Sequence, residues 1–116
     1  MDILFICGSA EIGNDGVGDY TRRLSGKLIK EGHKARILAL CDETIYYTSE
    51  SQVVENTTVM VHRIPADTNM KQRLLWLQAV VKDFEPDLIS LQYVPYSFNP
   101  KGLPFWLPSY LEKIRG

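Results

Sequence analysis

Gly13-Asn-Asp-Gly16-Val-Gly18-Asp-Tyr20-Thr-Arg-Arg-Leu24 is a glycine-rich loop that runs directly into an amphipathic helix, and it follows the opening apolar run Asp2-Ile-Leu-Phe-Ile-Cys7. Glycine takes positive φ at low cost and lets a ligand come close to the backbone. The first N–H groups of a helix have no intrahelical partner, so strand, glycine loop and helix start in this order form a seat for an anion. Chemistry involving phosphate is the leading expectation. The plainer alternative is that these glycines shape a turn and cap a helix.

The spacing narrows the kind of phosphate site. A dinucleotide-binding turn places its first glycine directly after the strand and closes on a small residue. Here Gly16-Val-Gly18-Asp-Tyr-Thr21 ends on Thr21, and Ser9 to Asp15 make a long excursion after a strand that stops near Gly8. Asp42, after the second apolar run, falls about where a ribose-binding acid would. One feature fits that motif and two do not. No Gly-Lys-Ser/Thr occurs, so a P-loop is excluded.

Working outward, the uninterrupted apolar character of Asp2–Cys7 suits a strand covered on both faces. The helix after it carries Val17, Tyr20, Leu24 and Leu28 on one side, with Asp19 in its first turn, Lys27 and Lys30 in its last, and Gly32 as its stop. Ala35 to Leu40 reads as a second buried strand, which completes a parallel crossover unit. Thr44 to Thr58 is polar and aromatic without a sustained period and reads as a surface excursion. Val59 to Ile64 is the third strand, stopped by Pro65. Asn69 with Gln72 then forms a capping box for a second helix, whose core stripe is Met70, Leu74, Leu77, Val81 and Phe84, widened by Trp76 and Val80. Pro86-Asp87 introduces a fourth strand, Leu88 to Tyr93, and Gly102 to Gly116 reads as a closing helix. The expected fold class is α/β: a Rossmann-like parallel sheet with flanking helices, in the order third, second, first, fourth. That order leaves an apolar fourth strand at an edge, where natural sheets are short, charged or covered. Something is expected to cover it, either further strands of the same polypeptide or another molecule.

Three stretches resemble the N-terminal domain of GT-B fold retaining glycosyltransferases of the family 4 type: Gly16-Val-Gly-Asp-Tyr-Thr-Arg-Arg-Leu24, Glu31-Gly-His33, and Pro86-Asp-Leu-Ile-Ser-Leu-Gln-Tyr93. Asp15 stands where many members have another glycine. The resemblance implies an acceptor-side domain, an incomplete N-terminal half of the fold, with the nucleotide-sugar domain and its acidic residues absent from residues 1–116. It implies that Gly16, Val17 and Gly18, with the helix start at Asp19 and Tyr20, face the interdomain cleft and approach donor phosphates or an anionic acceptor through backbone N–H groups. Such donors would stabilise charge on the leaving phosphate. Gln92 and Tyr93, at the fourth strand's end, are the candidates for holding a sugar; the alternative is that Gln92 caps the strand and Tyr93 packs under the loop. No catalytic carboxylate pair, nucleophile with base, or metal cluster is recognisable, no cofactor is expected, and this stretch alone is expected to be inactive. Implied partners are a nucleotide-sugar donor and a sugar, lipid or polysaccharide acceptor. The rival readings are a nucleotide- or flavin-binding Rossmann-like domain and a non-enzymatic α/β interaction module.

Bulk properties fit one domain. The chain has 116 residues, 45% hydrophobic and 23% charged, with a formal net charge of -1. That balance gives no general attraction to nucleic acid or to an anionic membrane. With no signal-peptide pattern and no apolar run of membrane-spanning length, a cytoplasmic location is expected, in which Cys7 and Cys41 remain thiols. Leu103-Pro-Phe-Trp-Leu107 leaves a peripheral membrane contact open, beside the blander reading of aromatics packed on the sheet. His33 and His62 are both expected to be structural, the first at the helix C-terminus and the second within the third strand.

Overall fold

The structure is a computed structural model and describes residues 1–8, 16–42 and 46–92. Its elements in chain order are β1 (Asp2–Cys7), α1 (Gly16–Lys30), β2 (Lys34–Asp42), β3 (Thr48–Val54), β4 (Thr57–Pro65), α2 (Met70–Phe84) and β5 (Leu88–Leu91). They form one five-stranded sheet in the order β3-β4-β2-β1-β5. β1, β2, β4 and β5 run parallel, in the order that the crossover rules give, and β3 is antiparallel to β4.

The sheet is therefore mixed rather than parallel, and the segment read as a surface excursion contains a strand. β3 is polar because it is an edge strand whose outward residues face water while Gln52 and Val54 turn inward. Its return into β4 is a two-residue turn in which Glu55 (φ 47°) and Asn56 (φ 67°) both take positive φ, the backbone that matches hairpin twist. The expected fourth strand is shorter than Leu88–Tyr93: it ends at Leu91, with the Gln92 N–H donating to the Ile6 carbonyl at 2.7 Å, and Tyr93 lies outside the described residues. The Ser9 to Asp15 excursion, the 103–107 stretch and the closing helix lie outside them as well.

Alternation along the strands sends side chains to two cores. Ile3, Phe5, Cys7, Ala35, Ile37, Ala39, Val59 and Val61 meet Leu24, Leu28 and Ile29 of α1, while Leu4, Ile6, Leu38, Leu40 and Ile64 meet Leu77, Val80 and Trp76 of α2. Each fully buried Leu or Ile contributes roughly 1.5–3 kcal/mol of apolar burial. Cys7 and Cys41 belong to opposite faces and both remain thiols. The Tyr20 expectation fails: it is 54% exposed, and the inner side of α1 is instead Gly18, Thr21, Arg22, Ser25 and Gly26 with Leu24 and Leu28. Small residues let the helix approach closely, and a Cβ on Gly26 would stand 3.2 Å from Thr57 Oγ1.

The helix ends match the sequence signals. Gly32 (φ 96°) closes α1, with the His33 N–H donating to Leu28 O at 3.0 Å and the Gly32 N–H to Ile29 O at 3.1 Å. Asn69 Oδ1 accepts from the Gln72 N–H at 2.8 Å to cap α2. Among the described residues no helix is long and apolar enough to cross a membrane.

Candidate functional site

In an open α/β sheet the chain leaves β1 for β2 on one side and β5 joins on the other, so the crevice outside the carboxyl ends of β1 and β5 is the topological switch point. Gly8, whose carbonyl accepts from the Cys41 N–H at 2.8 Å, and Gln92 stand at those two strand ends. Helix α1 starts at Gly16 on the same edge, because a parallel crossover must descend from the carboxyl end of β1. Gly16, Val17, Gly18, Asp19 and Tyr20 are thus its first five residues, with Gly18 buried and Tyr20 exposed. Gln92 turns its side-chain amide back on its own strand, Nε2 donating to Ser90 Oγ at 2.9 Å.

Beneath that helix start runs a polar network that a reading of motifs missed. Arg22, 6% exposed, donates from one guanidinium nitrogen to Asp19 Oδ1 and from the other to Gln52 Oε1 at 3.4 Å. Gln52 Nε2 donates to Glu50 Oε2 at 3.4 Å, Arg63 reaches Glu50 Oε1 at 3.0 Å, and Arg63 Nε donates to Asp42 Oδ2 at 2.8 Å. The chain of contacts links the first turn of α1 to β3, β4 and the end of β2. Burial by itself would raise the Glu50 carboxyl, but hydrogen bonds from Arg63, Gln52 and Thr48 outweigh it and hold the group below its usual range. The available signals were Asp19 and Arg22 three apart on a helix and Glu50 and Gln52 two apart on a strand, the second hidden while 48–54 passed for a loop.

Asp42 is placed by a bulge. The β2–β4 register shifts between Ala39 and Asp42, Leu40 and Cys41 both turn to the α2 side, and Asp42, in register with Pro65, arrives fully buried and ion-paired with Arg63. It is not presented to a ribose, which removes the one feature that had suited a dinucleotide motif.

No protein-family model, curated protein or solved structure matches this chain.

Grooves also run along both helices. One, of about 550 Å³, follows α1 past Tyr20, Arg23, Lys27 and Lys30 to Glu55. The other, of about 540 Å³, lies along Leu75, Gln78 and Lys82 of α2.

Proposed function

We propose that the chain is the N-terminal, acceptor-side part of a glycosyltransferase of the GT-B type, which moves a sugar from a nucleotide-sugar to an acceptor hydroxyl. The observation that carries this reading is the coincidence at one edge of the glycine-rich first turn of α1, the end of β1 and Gln92 at the end of β5. Helix N-terminal amides at that crevice suit a sugar phosphate, and the amide of Gln92 suits a hydroxyl. The donor's nucleotide would be gripped by a second domain outside residues 1–116. β5 supports the same division of labour: it pairs on one side alone among the described residues, and Leu88 is 42% exposed. Further strands of the parent polypeptide are the proposed cover for it. The dinucleotide alternative loses support because Asp42 is committed to Arg63.

Amide NMR titrations with a nucleotide-sugar, with a sugar phosphate and with NAD test this reading. The expected result is that the first two move the Gly16–Tyr20 and Gln92 signals with millimolar affinity and that NAD does not. Tight NAD binding at these amides, or shifts confined to other surfaces, would overturn it.

A further inference from the structure

His62 belongs to neither the sheet edge nor the polar network. It projects from β4 on the α2 side, 7% exposed, with Nδ1 2.8 Å from Ser49 Oγ and 3.4 Å from the Tyr47 hydroxyl. Tyr47 in turn stacks on Trp76 of α2, with ring centroids 4.6 Å apart and planes 21° from parallel. His62 Nε2 is buried and has no hydrogen-bond partner among the described residues. We propose that His62 is a proton-operated clasp: its neutral ring holds Tyr47 and the first half of β3 against α2, and a proton acquired by the ring releases them while β1 and β2 stay folded.

The asymmetry of the two ring nitrogens carries the argument. Nδ1 faces two hydroxyls, which rotate to donate or accept, so that side tolerates either protonation state. Nε2 does not. In the neutral ring the less costly arrangement puts the hydrogen on Nδ1, donated to Ser49, and leaves Nε2 as a bare lone pair. The imidazolium carries hydrogen on both nitrogens, and its Nε2–H is then a buried charged donor without an acceptor. Among the described residues the charged and titratable groups around the ring are Tyr47, Arg36 of β2 and Asp83 of α2, and the Asp83 carboxylate already accepts from Arg36 Nη1 at 3.0 Å. Burial first, and then the Arg36 guanidinium, push the ring down to about 4, against a smaller opposing effect of Asp83. Turning the ring out to water is the relief, and it breaks the contacts with Ser49 and Tyr47. The release stays local because β3 is the outermost strand and Tyr47 precedes it, whereas Leu38 and Ile37 are fully buried on the two faces of β2.

The test follows His62 by ring NMR and Trp76 by fluorescence from roughly pH 7 to pH 3, in a Trp106→Phe background that leaves Trp76 as the single reporter. Amide exchange, corrected for intrinsic rates, is followed alongside. The expected result is a ring midpoint near 4, a red shift of Trp76 emission at the same midpoint, and β3 amides at 48–51 exchanging at least about tenfold faster while β1 and β2 remain protected. His62→Gln should abolish the Trp76 transition. Ser49→Ala, which removes the nearer Nδ1 partner, should move the midpoint upward by about half a pH unit or more. A ring titrating between about 6 and 7, a Trp76 transition that persists in His62→Gln, an unmoved midpoint in Ser49→Ala, or simultaneous loss of protection in β1 and β2 would each overturn the proposal.

Discussion

Arg73 shows how one side chain organises its surroundings. It is 3% exposed, and its guanidinium donates to the carbonyls of Leu40, Pro65, Ala66 and Thr68. One cation thus satisfies the end of β2, the end of β4 and the turn into α2. Replacing it with Met keeps much of the volume but takes the guanidinium donors from those carbonyls, of which Pro65 retains the Thr68 N–H at 3.1 Å. Arg73→Met should lower stability by about 3–5 kcal/mol, read from urea unfolding. Arg73→Lys should recover only part of that, since an ammonium cannot span the same set. That Arg73 falls on the second helix was legible in the sequence. Its purpose was not, because the carbonyls it serves are 5 to 33 positions away along the chain. Likewise the sequence put His62 in a strand and left invisible the unpartnered nitrogen that makes it sensitive to protons.

Elements with strong local chemistry were legible, and those stabilised mainly by their neighbours were not. β1, β2 and β4 announce themselves as apolar runs, and α2 by its cap and period. Asn69→Ala should cost about 1 kcal/mol, measured by thermal or urea denaturation, because the Gln72 N–H loses its acceptor. β3 lacks such a signature: TSESQVV has two aliphatic residues, and its order comes from pairing with β4 and from Glu50 and Gln52 joining the buried network. Its hairpin turn is also atypical, with Glu rather than Asn, Asp or Gly at the first positive-φ position. Glu55→Gly should therefore stabilise the hairpin by about 0.5–1 kcal/mol, seen as a higher urea midpoint at unchanged slope. The glycine-rich entry to α1 was legible as a helix start, and its position on the carboxyl edge follows from the crossover alone. What sequence could not supply was the network under it, since Arg22 and Gln52 meet across 30 positions.

For the molecule as a whole, His62 and Glu50 act in the same direction as pH falls. His62 is depressed when folded, so the folded state binds fewer protons than the unfolded one. The contribution is complete above the ordinary value of 6.5 and is lost progressively as pH falls toward about 4. Glu50 is also lowered, so its contribution is present above its ordinary value of 4.5 and is lost as pH falls through its folded-state value. Unfolding free energy should therefore decline from near pH 6.5 downward, with a slope of at most about 1.4 kcal/mol per pH unit from His62 alone. His62→Gln should flatten the upper part of that decline and leave the lower part, which a series of urea titrations would separate.

The arrangement also has a consequence for how the chain comes together. β5 lies beside β1, and the two are tied at their starts by the Asp87 N–H donating to the Asp2 carbonyl at 2.7 Å and the Asp2 N–H donating to Asp87 Oδ2 at 2.8 Å, across 85 positions. β1 is therefore translated before both of the strands that flank it, and the second of them, β5, follows about 85 positions later. Until then a nascent polypeptide displays one unpaired flank of Ile3–Cys7, the kind of surface that holdases recognise, and covering that flank waits on the longest-range strand pairing among the described residues.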